Sequence, residues 1–192
     1  MIEFIKQLDV DILLWLNGNH TQFWDEVMWF ASGKYTWIPF YALLLLLLIW
    51  QFKYESIVMI ILIALLILIS DQIASGIFKP FFQRLRPSHQ PELKTMLHIV
   101  NGYYGGKYGF MSSHAANVFS LAFYIAFLTY SKLRWLSFVL IPWAVFVSLS
   151  RVYLGVHYPS DIIAPAILSI PIALFVGYVY KKSNYYLMQK IA

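Results

Sequence analysis

Five long apolar segments constrain this chain more than any other feature of its sequence. They cover residues 35–50, 56–78, 113–130, 135–149 and 162–180, and few ionisable side chains interrupt them. A bilayer core is crossed by helices of about 20 apolar residues, because a helix satisfies its own backbone hydrogen bonds in lipid. The pattern therefore predicts an all-α fold, a polytopic helical membrane bundle with about five transmembrane helices.

Composition supports the membrane class and excludes several others. Hydrophobic residues make up 60% of the 192-residue chain and charged residues 12%, whereas soluble domains contain about 45–50% and about 25%. The chain has no cysteine, which excludes disulfides, thiolate catalysis and cysteine-based metal sites. The net charge of +5 is dispersed among apolar segments, so we expect no nucleic-acid partner. We expect a single domain over residues 1–192.

Residues 1–32 are predicted to form an N-terminal segment at the membrane interface. Residues 3–16 place apolar side chains on one helical face and polar ones mostly opposite. The apolar set is Phe4, Ile5, Leu8, Ile12 and Trp15, and the polar set is Lys6, Asp9 and Asp11. Asp9-Val10-Asp11 superficially resembles an aspartyl-phosphate motif, but no acidic companions follow it. A polar face of an amphipathic helix is the favoured interpretation.

The connection over residues 79–112 is unusually long for a compact domain. It contains three prolines and four glycines, which break regular structure. Loops of more than about 12–15 residues are functional or disordered. Because this one begins and ends with a polar motif, we predict an active-site loop. The glycines between residues 102 and 109 are interpreted as loop hinges, with a mobile lid as the alternative.

Three polar strings lie where apolar segments meet loops. They read Lys79-x6-Arg86-Pro87, Ser112-Ser113-His114 and Ser150-Arg151-x5-His157-x3-Asp161. They supply three cations, two imidazoles and one carboxylate. This inventory fits a phosphate ester: cations bind the oxyanion, one histidine attacks, the other protonates the leaving group, and the aspartate orients the attacker.

Local spacing assigns a role to each histidine. His157 and Asp161 are four residues apart, so the carboxylate can accept the Nδ1–H and leave Nε2 free to attack. A polar pair that caps a helix is the alternative. His114 stands at the predicted start of the third apolar segment, where free backbone N–H groups favour phosphate. Taken alone, Ser112 as an N-cap and His114 as an interfacial residue would be favoured there.

The remaining polar residues divide into phosphate ligands, supporting groups and surface charges. The predicted phosphate-binding set is Lys79, Arg86, Arg151, Ser112 and Ser113. Asp71, within the second apolar segment, and Ser150 are predicted to support the site. For Arg84, Lys94 and Lys107 we favour snorkelling or attraction to lipid headgroups. His20, His89 and His98 lack the spacing of metal ligands, so no metal and no cofactor is expected.

The order and spacing of the three strings resemble the signature of the type-2 phosphatidic acid phosphatase superfamily. These are integral-membrane lipid phosphate phosphatases related to vanadium haloperoxidases. The resemblance runs from Lys79 to Asp161 and implies that His157 forms a phosphohistidine while His114 acts as general acid. The family pattern Pro-Ser-Gly-His reads Met111-Ser112-Ser113-His114 here, which adds a side chain near the phosphate.

The resemblance implies a metal-independent membrane phosphatase acting on a lipid phosphomonoester or diphosphate. Undecaprenyl diphosphate, phosphatidylglycerophosphate, phosphatidic acid and lipid A phosphates are all open as substrates. A lipid phosphotransferase of the same fold and a non-catalytic lipid-binding or transport protein are the alternatives. The expected partners are the lipid phosphate substrate and the surrounding membrane lipids.

Charge distribution suggests an orientation in the inner membrane. If the segments alternate, one side carries Lys53, Lys132, Arg134, Lys181, Lys182 and Lys190, and the other side carries all three strings. The positive-inside rule makes the lysine-rich side cytoplasmic. Together with the family resemblance, which strengthens this interpretation, the charge distribution leads us to expect an active site that faces the periplasm or the cell exterior.

Overall fold

The predicted all-α class is confirmed. A computed structural model describes residues 2–191, with side chains over residues 3–184, and contains no β-strand within that range. Its α-helices are α1 (Ile2–Gly18), α2 (Gln22–Ser32), α3 (Ile38–Phe52), α4 (Glu55–Asp71), α5 (Lys79–Phe82), α6 (Pro91–Lys94), α7 (Ser113–Thr129), α8 (Trp135–Tyr153) and α9 (Pro159–Ile191). A π-helical stretch, Gln72–Phe78, joins α4 to α5, and short 3-10 turns cover Pro87–His89 and Val100–Gly102.

The five predicted apolar segments are five helices. Three helical stretches are long and apolar enough to cross a membrane: Glu55–Phe82, Trp135–Tyr153 and Pro159–Asn184. The other two, α3 and α7, are apolar but shorter. A short apolar helix can cross a bilayer by borrowing its flanks or by local thinning of the membrane. The chain is therefore a multi-pass membrane protein.

Helix α7 forms the centre of the bundle and packs against α4, α8 and α9. Small side chains let the helices approach closely. Ser70 of α4 lies 2.7 Å from Ser120 of α7, which donates to Ser169 of α9 at 3.0 Å. In contrast, outward-facing side chains such as Leu43 and Phe138 are 67% and 74% exposed. The bundle therefore presents apolar surface to lipid and closes around a small polar seam.

The two ends of the bundle differ in chemistry. At one end Lys132 stacks over Phe52 and Lys181 over Phe127, at 4.9 and 4.3 Å. All three polar strings lie at the other end, where α5, α7, α8 and α9 meet the long loop. The side chain of Lys190 lies outside the described residues. The structure thus separates the lysine-rich end from the candidate site, as the alternation of segments predicts.

Helix α1 is amphipathic as predicted, with one correction. Phe4 and Trp15 on its apolar face are 70% and 68% exposed, and Asp11 is exposed as well. Asp9, however, is only 5% exposed and lies against α9 and the long loop. The interpretation of Asp9 as part of a solvated polar face is therefore wrong, because tertiary contacts bury it.

The long loop over residues 79–112 is fastened to the helices around it. Within the loop, Gly109 N–H donates to Arg84 O at 2.8 Å. Ser88 N–H donates to Gly155 O at 3.1 Å, which joins the loop to the α8–α9 connection. His98 Nε2 lies 2.7 Å from Asp25 Oδ2, which joins it to α2. These bonds fix the loop over the end of the bundle that carries the three polar strings.

Candidate active site

A buried histidine–aspartate pair lies between α8 and α9. His157 Nδ1 is 3.2 Å from Asp161 Oδ2, and the two residues are 1% and 0% exposed. Tyr158 N–H donates to the same Oδ2 at 3.0 Å, and His157 N–H donates to Arg151 O at 3.2 Å. The contact expected from the four-residue spacing is present. With Asp161 accepting from Nδ1–H, Nε2 carries the free lone pair.

The surroundings of His157 favour its neutral form. Burial, followed by the positive charges of Arg86, Arg151 and Lys79, lowers the pKa of His157 well below its usual value. An imidazole must be unprotonated to attack an electrophile. Burial and the neighbouring cations together thus keep His157 in its unprotonated form.

Arg86 has one buried guanidinium nitrogen that makes no hydrogen bond to the described residues. Its Nε donates to Tyr108 O at 3.2 Å, while Nη1 is buried and has no partner among the described residues. Buried guanidinium N–H groups without acceptors are costly. A bound oxyanion would satisfy this one.

Arg151 is fixed by two groups that sequence reasoning did not identify. Its guanidinium donates to Ser32 Oγ of α2 and, at 3.0 Å, to the Tyr103 hydroxyl of the long loop. Its Nε is buried without a partner in the described part of the chain. Burial alone would raise the pKa of Tyr103, but Arg151 and then Arg86 lower it. The guanidinium groups of Arg151 and Arg86 thus create a positive electrostatic potential at Tyr103, which favours binding of an anion there.

The three side chains of the Ser112-Ser113-His114 string make different contacts. Ser112 is the N-cap of α7, where its hydroxyl accepts from Ala115 N–H at 3.4 Å. Ser113 Oγ accepts a hydrogen bond from Lys79 Nζ at 2.8 Å. His114 lines the main cavity. The hydroxyl at the position of the family glycine therefore contacts a predicted phosphate ligand.

These residues surround a cavity of about 660 Å³. It brings together, from the predicted set, Lys79, Arg86, Arg151, Ser113, His114 and Asp71. His157, Asp161 and Ser112 are buried and are not among its lining residues. Ser150 is also buried, and its hydroxyl donates within α8 to Val147 O at 2.7 Å. Asp71 accepts from the Ser75 hydroxyl at 3.1 Å.

The interpretation of Arg84 as a snorkelling cation is wrong. Its guanidinium lies 3.0 Å from Asp161 Oδ1 and 2.8 Å from Asp9 Oδ2, and it stacks 4.0 Å over the Tyr158 ring. Lys94 and Lys107, by contrast, are exposed, as their interpretation requires. Sequence spacing carried no signal that could distinguish Arg84 from these two lysines.

Two loop glycines lie where a side chain would not fit. A Cβ on Gly105 would lie 2.4 Å from Arg86 Nη1, and its φ of +66° favours glycine. A Cβ on Gly109 would lie 2.9 Å from Asp161 Oδ2. The loop backbone thus touches both the cation and the carboxylate of the site.

A second cavity adjoins the first inside the bundle. It measures about 290 Å³ and is lined almost entirely by apolar residues of α3, α4 and α7. Tyr41 and Asn117 line both cavities. Asn117 Oδ1 is buried without a partner among the described residues, and the sequence did not single it out.

The described residues contain no group of three histidine, cysteine, aspartate or glutamate side chains that could hold a metal ion. His20 and His98 stack face to face with centroids 3.7 Å apart, an arrangement unlike convergent ligands. The ionisable groups that the structure gathers at the site include imidazoles, carboxylates and cations.

The fold and the site define a polytopic helical membrane protein with a cationic cavity at one end. Residues 60–185 match the PAP2 superfamily. The chain is 42% identical over 171 residues to a lipid A 4′-phosphatase of Bacteroides thetaiotaomicron, covering 88% of this chain and 75% of the relative. It is 36% identical over 183 residues to a lipid A 4′-phosphatase of Porphyromonas gingivalis, covering 94% and 75%. The chain belongs to the PAP2 superfamily.

Two solved structures share the fold. The PAP2-type phosphatidylglycerolphosphate phosphatase of Bacillus subtilis superimposes with a TM-score of 0.67 at 19% identity, over 93% of this chain and 87% of that one. Aquifex aeolicus LpxE superimposes with a TM-score of 0.65 at 21% identity, over 88% and 94%. The predicted family is confirmed, and with it the enzyme class of a membrane lipid phosphatase.

Proposed function

We propose that the protein hydrolyses a phosphate ester of a lipid A-type glycolipid through a phosphohistidine. The observation that carries this proposal is the buried His157–Asp161 pair beside the cations of Arg86 and Arg151. The nature of the lipid is supported by two relatives at 42% and 36% identity that are lipid A 4′-phosphatases.

In the first step His157 Nε2 attacks phosphorus and a P–N bond forms as the ester P–O bond breaks. His114 gives its proton to the leaving alkoxide. Lys79, Arg86 and Arg151 neutralise the charge on the phosphoryl oxygens, which is the largest catalytic contribution in many phosphoryl transfers. Asp161 stabilises the charge that develops on His157.

In the second step water attacks the phosphohistidine. His114 takes a proton from the water, the P–N bond breaks, and inorganic phosphate leaves as His157 returns to its neutral form. The backbone at the start of α7 and the Ser112 and Ser113 hydroxyls complete the phosphate environment.

The size of the two cavities supports a lipid substrate. The main cavity, about 660 Å³, is several times larger than a phosphate group and leaves room for a headgroup. The adjoining cavity of about 290 Å³ is apolar and lies within the bundle. We place the headgroup in the first and part of an acyl chain in the second, since apolar chains gain free energy from apolar surroundings.

The proposal includes a location. Lysines at the end opposite to the site, including Lys132 and Lys181, favour a cytoplasmic position for that end. The active site then faces the periplasm or the cell exterior from the inner membrane.

Phosphate release by the detergent-purified protein, with EDTA present, tests this function. The substrates are lipid A 4′-phosphate, phosphatidic acid, phosphatidylglycerophosphate and undecaprenyl diphosphate. We expect release from lipid A, with a labelled phosphoenzyme that His157→Ala abolishes and the control His89→Ala retains. Equal release by His157→Ala contradicts the mechanism. Product that forms only when another lipid acceptor is added indicates a phosphotransferase.

A further inference from the structure

The carboxylate of Asp161 is held from two sides. Its Oδ2 faces His157 and the Tyr158 N–H, whereas its Oδ1 receives Arg84 Nη1 at 3.0 Å. Arg84 does not line the main cavity, in which Lys79, Arg86 and Arg151 lie. Arg84, which lies within the Lys79–Arg86 string, thus contacts the His157–Asp161 pair from outside the main cavity.

Arg84 is itself fixed by three neighbours. Its Nη2 lies 2.8 Å from Asp9 Oδ2, and its Nη1 donates to Ser160 Oγ at 2.6 Å. The guanidinium also stacks 4.0 Å over the Tyr158 ring. An arginine with both terminal nitrogens bound and its face stacked has little rotational freedom left.

Asp9 connects this arrangement to the N-terminal helix. Its Oδ1 accepts the Ser160 N–H at 2.8 Å, and its Oδ2 accepts the Ser160 hydroxyl as well as Arg84. Asp9 therefore satisfies a free N–H group in the first turn of α9 from a different helix. A carboxylate at this position is also favoured by the helix dipole.

The charged groups that make these contacts are largely buried, so the loss of one contact would affect the others strongly. The side chains of Arg84, Asp9 and Asp161 are 26%, 6% and 0% exposed. A buried charge that loses its partner is strongly destabilised, because water cannot replace the lost interaction. Asp161 without Arg84 would keep only one neutral N–H donor and His157 as partners.

We propose that Arg84 is a positioning residue that fixes the Asp161 carboxylate and so aligns His157 for attack, with Asp9 anchoring Arg84 from α1. The proposal rests on the proposed function for the reaction it serves. It assigns the N-terminal helix a part in catalysis, through Asp9.

Steady-state kinetics of Arg84→Gln tests this proposal. We expect kcat and the rate of phosphoenzyme formation to fall about 10–100-fold, as for other groups that orient a catalytic residue. KM and the inhibition constant of inorganic phosphate should change less than about two-fold, because Arg84 lies outside the phosphate cavity. Arg84→Lys should recover part of kcat, and the exposed-loop control Lys107→Gln should match wild type.

Asp9→Asn extends the test. We expect a smaller fall in kcat, because Arg84 keeps its bonds to Asp161 and Ser160. The double variant with Arg84→Gln should lose little more than Arg84→Gln alone, since asparagine keeps an oxygen that can accept the Ser160 N–H and the proposed effect of Asp9 on Asp161 passes through Arg84.

Unchanged kcat in Arg84→Gln overturns the proposal. A parallel loss of phosphate inhibition in Arg84→Gln and Arg84→Lys also overturns it, since this would place Arg84 in the phosphate clamp or show a collapsed site. These results require an active wild type. Absence of phosphate release from every lipid by wild type instead contradicts the proposed function.

Discussion

Ser113 illustrates how one residue changes the details of the site. Its hydroxyl accepts a hydrogen bond from Lys79 Nζ at 2.8 Å, at a position where the family pattern has glycine. Lysine has three rotatable donors on a flexible stem, so a fixed acceptor restricts it. This arrangement keeps Lys79 at the cavity while its other N–H groups stay available for phosphate.

Gly105 lies where a side chain would clash with Arg86, a proposed phosphate ligand. We expect Gly105→Ala to lower kcat/KM about 10–100-fold, because the new Cβ would displace Arg86 Nη1, 2.4 Å away. The positive φ of +66° adds strain of about 1–2 kcal/mol.

Gly106→Ala is the matched control for this prediction. A Cβ there would meet no heavy atom within 4 Å, and we expect activity close to that of wild type. Kinetics on the lipid phosphate that wild type hydrolyses compares the two variants. Equal activity in both would show that Arg86 tolerates displacement.

At the scale of elements, a chain of serine hydroxyls joins α4, α7 and α9. Ser120 bonds to both Ser70 and Ser169, and Ser169 donates to Ala116 O at 3.2 Å. Interhelical hydrogen bonds in membrane proteins average about 0.6 kcal/mol each. The seam therefore contributes modest free energy while holding three helices in register beneath the site.

We expect Ser120→Ala to lower the free energy of unfolding by about 1 kcal/mol and Tm in detergent by about 2–4 °C. Ser120→Leu should lower Tm further, because a larger side chain overfills the contact. Ser148→Ala is the control, since the Ser148 hydroxyl is buried without a partner among the described residues. A larger loss of Tm in Ser148→Ala than in Ser120→Ala would contradict this account.

A π-helical stretch, Gln72–Phe78, lies between α4 and the predicted phosphate ligand Lys79. Lys79 N–H bonds to Ala74 O, five residues earlier, at the end of this stretch. π-Helical turns recur at functional sites because they change the direction in which the following side chains point. Here Lys79, the residue that follows the stretch, lines the main cavity.

At the scale of the whole molecule, the main cavity and the apolar cavity are neighbours that share Tyr41 and Asn117 in their linings. We expect Leu45→Trp, which reduces the apolar cavity, to raise KM for a long-chain lipid phosphate about 5-fold, equivalent to about 1 kcal/mol. KM for a short-chain analogue should stay constant, because that substrate leaves the apolar cavity empty.

Leu46→Trp provides the comparison, since Leu46 is 61% exposed on the outer face of the same helix. We expect Leu46→Trp to leave KM unchanged for both the long-chain lipid phosphate and the short-chain analogue. A rise in KM for both substrates in Leu45→Trp would indicate distortion of the phosphate site instead of a lost chain contact.

Much of the fold and part of the site follow from local sequence. Apolar segment length predicts the helices because lipid forces the backbone to satisfy its own hydrogen bonds. The four-residue spacing of His157 and Asp161 predicts their contact, which forms across the start of α9, because His157 lies two residues before the helix begins. Lys79, Arg86, Ser113, His114 and Arg151 lie around one cavity, as the three strings suggest.

Only tertiary structure decided which buried charges meet. Arg84 pairs with Asp9, 75 residues away, and Arg151 donates to Ser32 over a separation of 119 residues. Local spacing leaves such partners undetermined, because a charged side chain near a membrane interface can face water, a headgroup or a buried counter-ion. For Asp9, the packing of α1, α2 and the long loop against α8 and α9 excludes water and lipid headgroups. A buried carboxylate requires a partner, and Arg84 is that partner.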